Sequence, residues 1–190
     1  MEQMNQAYKV FTRICLNNWH YIDRKVLGLN ESINFFTGHS GSGKSTVIDA
    51  MQIVLYANTD GRGFFNKAAA DDSDRSLIEY LRGMINIGEN NQAEYKRNKN
   101  FSTTIVLEME QTITKEKECI GVVFDVETAT NEINRLFFWH KGELIPGDYR
   151  TESRAMTISE VRSYLQQNFP KDEMFYTSNN ERFRRNERRS

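Results

Sequence analysis

One glycine-rich stretch of the chain has the residue types and the spacing that are needed to bind a phosphate chain. Residues 35–50 have the sequence FFTGHSGSGKSTVIDA, which contains G-x-x-x-x-G-K-[ST] at Gly38, Gly43, Lys44 and Ser45. Glycines let a backbone wrap closely round phosphate oxygens, and the backbone amides then point inward. In this pattern the lysine bridges the β- and γ-phosphates and the serine hydroxyl ligates Mg²⁺. The stretch therefore predicts binding of ATP or GTP.

The predicted nucleotide site covers the whole loop and the first turn of the helix that follows it. We expect the amides of residues such as Gly41, Ser42 and Gly43 to face the phosphates, where the helix dipole adds to their field. The predicted nucleotide-binding residues are Gly38, His39, Ser40, Gly41, Ser42, Gly43, Lys44, Ser45 and Thr46. Because the loop binds through its backbone, the His39 imidazole is expected to face outward. Ser45 is the predicted Mg²⁺ ligand.

The elements on either side of the loop are those that position such a site. Residues 32–36 (SINFF) are predicted to form a strand that leads directly into the loop. Residues 44–57 (KSTVIDAMQIVLYA) place apolar side chains almost all round a helix, which predicts that the helix is buried. Alternating apolar residues predict an earlier strand from residue 8 to residue 16, ended by Asn17 and Asn18.

The rest of the chain predicts a mixed α/β domain with an antiparallel meander. A short strand is predicted at 26–29 and a helix at 75–85. Three strand candidates joined by short polar connections follow, at 101–109, 119–126 and 134–140. Because no helix is predicted between them, they favour an antiparallel meander. A T-x-x-E capping box at Thr157 and Glu160 opens a further helix, which Pro170 ends.

Composition excludes several classes of protein. The 25 basic and 26 acidic residues give a net charge of -1, so bulk charge provides no argument for nucleic acid, membrane or an acidic substrate. Cys15 and Cys119 lie far apart without neighbouring ligands, which predicts neither a disulfide framework nor a zinc site and favours a reducing cytosol. No run approaches the roughly 18 apolar residues of a membrane span. We therefore expect a cytoplasmic chain that is not inserted in a membrane.

A phosphate-binding loop also needs a carboxylate partner that holds Mg²⁺ and orients water. The stretch CIGVVFDVET offers Asp125 after a run of apolar residues, with Glu127 close by. As a Walker B strand it would make the chain a small stand-alone P-loop NTPase or kinase. However, the stretch lies within the predicted meander, whereas a Walker B strand runs parallel beside the strand that bears the loop. The favoured expectation is that Asp125 is a strand-end surface carboxylate. A third hypothesis is a binding-only module whose fold is ordered by nucleotide.

The order of these motifs resembles the N-terminal half of an SMC-type ABC ATPase head. The resemblance is carried by a strand ending in LNNW, the strand-loop-helix INFFTGHSGSGKSTVIDAMQIVLYA, an antiparallel lobe, a helix and an Arg-rich segment. Within that superfamily, which also includes SbcC-related proteins, the chain is most similar to MukB-, MksB- and JetC-like proteins. The similarity to these proteins lies in RSLIEYLRG (75–83) and in EVRSYL and MFYTSNN (within 160–180).

The resemblance implies an α/β fold of the ABC/SMC head type, in which residues 1–178 form the N-terminal lobe. Residues 179–190 would then begin a coiled-coil arm. It implies Mg-ATP as the ligand, a C-terminal half that carries the signature and Walker B motifs, and a second head in a homodimer. No catalytic residue is then expected in this chain. Accessory subunits, DNA bound through the complex and a nucleoid-associated location are also implied. By this resemblance Asn179 occupies the place of the Q-loop glutamine, where it would be a second Mg²⁺ ligand. Asparagine is one methylene shorter than glutamine, and the alternative is that Asn179 is a plain loop residue.

Three further sets of residues have two interpretations each. Trp19, His20 and Tyr21 either stack on adenine or form a surface turn with half-buried aromatic rings. Arg62 either reaches a phosphate or the facing subunit, or is solvated. The tail arginines either lie on a solvated helix face or contact DNA phosphates; they are Arg182, Arg184, Arg185, Arg188 and Arg189.

Overall fold

The structure, a computed structural model, describes residues 6–29, 44–56, 77–87, 90 and 92–187. The predicted strand at 32–36, the loop from Gly38 to Gly43 and Arg62 lie outside the described residues, as do the last two tail arginines. None of the described helices has the length and apolar character required to cross a membrane.

The described chain forms a mixed α/β fold. Its strands are β1 (Lys9–Trp19), β2 (Ile22–Gly28), β3 (Met84–Ile87), β4 (Ala93–Tyr95), β5 (Phe101–Gln111), β6 (Lys117–Glu127), β7 (Glu132–Lys141) and β8 (Met174–Thr177). Its helices are α1 (Lys44–Tyr56), α2 (Leu77–Arg82), α3 (Ile158–Asn168) and α4 (Asn180–Glu187). Six strands form one sheet in the order β2-β1-β5-β6-β7-β8, and β3 pairs with β4 separately.

The predicted antiparallel meander is confirmed. Strands β5, β6 and β7 are consecutive in the chain and pair antiparallel, and β1 joins β5 antiparallel on the other side. Polar residues close the turns between them. The Gln111 side-chain oxygen accepts hydrogen bonds from the amides of Ile113 and Thr114, both at 2.6 Å. Asn131 takes a φ of 57°, a left-handed conformation that asparagine tolerates better than most residues.

Side chains of the central strands alternate between two buried faces. The α1 face carries Ile105 and Leu107 of β5 and Val122 and Phe124 of β6, and it packs against α1 and α2. The α3 face carries Val106, Cys119, Val123 and Phe138, which pack against Leu144, Tyr149, Val161 and Leu165. Because successive strand residues point to opposite faces, the sheet separates α1 from α3. The fold therefore has three layers.

Three predicted element boundaries are wrong. The strand predicted at 26–29 begins four residues earlier, because β2 runs from Ile22 to Gly28 in register with β1. Asn17 and Asn18 do not end β1, which continues to Trp19. Asn18 instead takes a φ of 52° within the strand, which breaks the alternation and brings Trp19 into the core of the α1 face.

The helix predicted at 75–85 ends at Arg82, because Gly83 has a φ of +66° and Met84 begins β3. A β-carbon on Gly83 would lie 2.6 Å from the carbonyl oxygen of His20, so only glycine fits this close approach.

The predicted capping box of α3 is confirmed. The Thr157 hydroxyl accepts from the Glu160 amide at 3.3 Å, and Glu160 Oε1 accepts from the Thr157 amide at 3.1 Å. The helix ends at Asn168, two residues before Pro170. The local signals of this segment therefore agree with the structure at both ends.

Glu108 is a fully buried carboxylate of β5 on the α3 face. Arg13 donates to both of its oxygens, from Nε to Oε1 at 3.0 Å and from Nη2 to Oε2 at 2.6 Å. The Thr12 hydroxyl donates to Oε1 at 2.7 Å and the Leu144 amide to Oε2 at 3.0 Å. Burial alone would raise the pKa of Glu108, but these donors outweigh burial and lower its pKa to about 2.

We expect the ion pair of Glu108 to stabilise the fold at neutral pH and to be lost in acid. Because the folded-state pKa lies below the unfolded one, the contribution is present above about pH 4.5 and disappears as the pH falls through about 2. Glu108→Gln should lower the free energy of unfolding by about 3 kcal/mol at pH 7, with a smaller difference in acid. Urea denaturation between pH 7 and pH 2 measures this. Glu127→Gln, at an exposed strand end, is the control. If the free energy of unfolding depended on pH equally in the wild type, Glu108→Gln and Glu127→Gln, the expectation would be contradicted.

We expect Gly121 to be required by packing rather than by backbone conformation. A β-carbon there would lie 2.7 Å from Phe138 Cζ and 2.9 Å from the Ile105 carbonyl oxygen. Gly121→Ala should therefore lower the free energy of unfolding by about 1–3 kcal/mol in urea denaturation. Gly28→Ala, where nothing lies within 4 Å of the added carbon, is the matched control in another strand. Equal stability of the two variants would show that the sheet yields at Gly121.

Candidate nucleotide-binding site

Helix α1 begins where the phosphate-binding motif ends. Its first residue is Lys44, so the backbones of Lys44, Ser45 and Thr46 form the first helical turn. The amides of a first turn have no partner within the helix and point towards the preceding loop, where they favour a bound anion. Of the predicted site, the structure thus describes the helical backbone of Lys44 to Thr46, and phosphate binding there stays a prediction.

Trp19 contacts this first turn directly. Its indole Nε1 donates a 2.8 Å hydrogen bond to the backbone carbonyl of Thr46, and its ring is fully buried. The ring stacks on Tyr80 with centroids 5.2 Å apart and an interplanar angle of 15°. The hypothesis that Trp19 stacks on adenine is therefore wrong, because both its N–H and its ring are used inside the fold. Tyr21 is half exposed and donates to the Met84 carbonyl at 2.7 Å.

Tyr80 of α2 contacts the second turn of α1. Its hydroxyl donates a 2.7 Å hydrogen bond to Asp49 Oδ2, and both side chains are buried. Sequence reasoning did not identify either residue as part of the site. The available signal was the position of Tyr80 within RSLIEYLRG, since a buried tyrosine needs a partner for its hydroxyl.

Arg97 connects the turn between β1 and β2 to the end of α2 by hydrogen bonds. Its Nη1 donates to the carbonyls of His20 at 2.7 Å and Leu81 at 2.9 Å, and its Nη2 donates to the Ile22 carbonyl at 2.9 Å. Burial lowers the pKa of Arg97 to about 10, while the nearby Asp23 carboxylate opposes this shift. The guanidinium is still charged at neutral pH, so it holds these carbonyls with charge-assisted hydrogen bonds.

Arg82 is the second buried arginine of this region. It donates to the Arg97 carbonyl at 3.2 Å and to Asn131 Oδ1 at 2.9 Å, and it lies 4.1 Å above the centre of the Tyr95 ring. Arg82 and Gly83, the Arg-Gly pair of RSLIEYLRG, therefore have a structural role at the junction of α2, β4 and the β6–β7 turn.

Asp125 lies on the face of the sheet opposite α1. Its Oδ1 accepts from the Ser102 hydroxyl at 2.7 Å and from the Ile158 amide at 3.1 Å, which anchors the first turn of α3. Its neighbours Phe124 and Val126 instead point into the core that contains α1. Strand β6 also has antiparallel neighbours on both sides. Asp125 therefore lacks the parallel strand position of a Walker B carboxylate and is half-buried rather than on the surface.

A groove of about 420 Å³ opens beside Asp125 at the end of the sheet. Several of its polar residues are engaged within the fold. Asn18 donates to the Ser102 carbonyl at 3.0 Å, and Arg154 forms a 2.6 Å ion pair with Glu160. The groove combines acidic and basic side chains and does not have the amide-rich character of a phosphate site.

Helix α4 closes the described chain against the α1 face. Asn179 caps it, because its Oδ1 accepts from the Arg182 amide at 3.0 Å; its role as a Mg²⁺ ligand stays a prediction. Phe183 is buried and stacks on Phe137 with centroids 5.1 Å apart. Arg184 Nε donates a 2.6 Å hydrogen bond to the carbonyl of Tyr56, the last residue of α1. The last described helix therefore touches the C-terminal end of the helix that follows the phosphate loop.

We expect Asp125 to stabilise the fold through α3. Asp125→Ala removes the acceptor of two hydrogen bonds and should lower the free energy of unfolding by about 1–3 kcal/mol in urea denaturation. Asp125→Asn keeps a side-chain oxygen at the same place and should retain most of the stability. Asp172→Ala, in the turn after α3 and exposed, is the control. If Asp125→Ala were as stable as this control, the anchoring role would be excluded.

A comparison with protein families shows similarity to the P-loop containing region of AAA domains, over residues 11–72. The matched segment includes nearly all of β1, all of β2 and α1, and the whole glycine-rich motif. No curated protein matches the chain. The chain thus contains a P-loop region within a mixed α/β fold with an antiparallel sheet. Such a region implies nucleotide binding, typically with Mg²⁺.

Proposed function

We propose that this chain binds Mg-ATP as the N-terminal lobe of an SMC-like ATPase head. The observation that carries the nucleotide-binding part of the proposal is the P-loop match over residues 11–72, which covers the predicted ligands Gly38 to Thr46. The SMC-like head rests on the resemblance of the motif order alone. The start of α1 at Lys44 supports it, because the first-turn amides then lie where the phosphates would bind. In this proposal Ser45 ligates Mg²⁺, and the metal neutralises charge that develops on the phosphates.

The proposed head is completed by residues from outside this chain. Hydrolysis of ATP needs a carboxylate on Mg²⁺ and a positioned water, and Asp125 does not meet that need from the far face of the sheet. A C-terminal half would supply the Walker B carboxylate, and a second head would supply the signature motif. The position of Asp125 supports this proposal over a stand-alone NTPase or kinase.

The proposed biological setting is a complex that acts on DNA in chromosome organisation, repair or plasmid defence. It is supported by the resemblance of the motif order to MukB-, MksB- and JetC-like heads. In this setting α4 and the residues after it begin a coiled-coil arm. Arg182 and Arg185 of α4 are exposed and would be available to phosphates, whereas Arg184 also holds the end of α1. Accessory subunits and a nucleoid location belong to the same proposal.

We expect Lys44→Ala to weaken binding of Mg-ATP by about ten- to a hundredfold, because it removes one charge-assisted contact to the phosphates. Titration calorimetry on the 190-residue chain measures this. Lys99→Ala removes an exposed lysine from the loop after β4 and is the matched control, which should bind as the wild type does. Equal affinity of Lys44→Ala and wild type would exclude the nucleotide site.

A phosphate-release assay tests the proposal that the ATPase head is completed by a separate C-terminal half. The 190-residue chain alone should release phosphate no faster than background. Addition of a separately expressed C-terminal half should produce a Lys44-dependent activity that rises with protein concentration, because two heads must meet. Asp125→Asn should leave this activity unchanged. Turnover by the chain alone that is lost in both Lys44→Ala and Asp125→Asn would instead establish the stand-alone NTPase.

A further inference from the structure

We infer that Trp19 and Tyr80 are positioning residues for the nucleotide, because they fix the first two turns of α1 that follow the phosphate loop. The inference rests on the proposed nucleotide binding and goes beyond it, since neither residue belongs to the loop or its motif. Their donor atoms lie 2.8 Å from the Thr46 carbonyl oxygen and 2.7 Å from Asp49 Oδ2.

The bond from Trp19 acts at the residue next to the predicted Mg²⁺ ligand. In an α-helix the carbonyl of Thr46 accepts a bond from the amide four residues later, which leaves it one further lone pair. The indole N–H of Trp19 takes that second position in a part of the core where Trp19 is fully buried. A shift of Thr46 would move the backbones of Ser45 and Lys44, which are its immediate neighbours in the same turn.

The bond from Tyr80 fixes the rotation of α1 one turn further along. Asp49 is buried, so its carboxylate cannot exchange Tyr80 for bulk water without leaving the core. The rings of Trp19 and Tyr80 stack on each other, and the two donors therefore form one unit that reaches two successive turns. Two contacts on successive turns define both the depth and the rotation of a helix, which one contact alone would not.

Directional bonds matter here because the packing of α1 against the sheet is apolar. Val47, Ala50, Ile53 and Val54 bury the helix against the sheet. Such packing gives most of the binding energy of the helix but is non-directional and tolerates small rotations. Hydrogen bonds weaken steeply with misalignment, so the bonds from Trp19 and Tyr80 select one orientation of the first turn.

The unit formed by Trp19 and Tyr80 is itself held in place. The His20 amide donates to the Tyr80 carbonyl at 2.8 Å, which joins the β1–β2 turn to α2. Arg97 bridges the carbonyls of His20 and Leu81 from the other side. Orientation of the phosphate-binding turn is thereby established by the fold before a nucleotide arrives, which reduces the ordering cost of binding.

The test measures affinity for Mg-ATP in the 190-residue chain by titration calorimetry. Tyr80→Phe removes a single oxygen atom and Trp19→Phe removes the indole N–H. Each should raise the Kd by about three- to tenfold, the effect of one lost hydrogen bond. The gain in affinity on adding Mg²⁺ to ATP should also fall, since Ser45 shares the displaced turn. A role in stability alone would not change either quantity in the folded protein.

Tyr149→Phe is the matched control. Tyr149 is also fully buried, and its hydroxyl lies 2.7 Å from His140 Nε2, but on the α3 face. It should lose stability to urea while its Kd stays that of the wild type. Unchanged Kd values in both Tyr80→Phe and Trp19→Phe would overturn the inference, and so would an equal rise in Tyr149→Phe. If Trp19→Phe does not fold, Tyr80→Phe decides the test.

Lys44→Ala, measured beside them, keeps the two proposals distinguishable. If wild type and Lys44→Ala both fail to bind Mg-ATP, the proposed function is wrong and the positioning inference falls with it. If the wild type binds, Lys44→Ala is weakened and Tyr80→Phe and Trp19→Phe bind like the wild type, only the positioning inference is wrong.

Discussion

Burial of β5 and β6 on both faces is the constraint on which the rest of the structure depends. Apolar side chains such as Leu107 and Val122 point to one side and Val106 and Val123 to the other, so each face must be covered by other elements. Helices α1 and α2 cover one face, and α3 with the segment before it covers the other. The layer that follows the phosphate loop is therefore kept apart from the carboxylate of Asp125. Burial of both sheet faces thus places α1 on one side of the sheet and Asp125 on the other.

On the α1 side, the hydrogen bonds of Arg82 and Arg97 form a polar frame that joins segments far apart in the sequence. Arg97 and Arg82 are buried cations, and taking them out of water is costly unless their donors are satisfied. The backbone carbonyls of His20, Leu81 and Ile22 accept from Arg97. Arg82 donates to the Arg97 carbonyl and to the Asn131 side chain. Carbonyl acceptors cannot change rotamer as side chains do, so this frame fixes the backbone itself. It explains why RSLIEYLRG carries both an arginine and a glycine at its end.

Much of the fold could be predicted because its signals are local. Alternation with a period of two identifies β1, apolar runs joined by short polar connections identify the strands of the meander, and the capping box identifies α3. The end of α2 was missed because Met84 and Ile85 continue an apolar spacing that fits a helix, while the deciding feature is the left-handed φ of Gly83. The roles of Trp19 and Tyr80 depend on hydrogen bonds to residues 27 and 31 positions away, which no periodicity contains. The glycine-rich motif, in contrast, carries its chemistry in consecutive residues.

The two cysteines of the α3 face provide the protein with an internal chemical reporter. Cys15 and Cys119 are fully buried, and burial raises the pKa of the Cys15 thiol to about 12 and that of Cys119 further still. Because the thiolate is the nucleophile, the raised pKa keeps the Cys15 thiol in its unreactive protonated form at neutral pH. Because Leu144 and Tyr149 pack in the same cluster as both thiols, we expect alkylating reagents to reach them only after local opening of the α3 face. The rate of thiol alkylation would then measure that opening on the side of the sheet opposite α1.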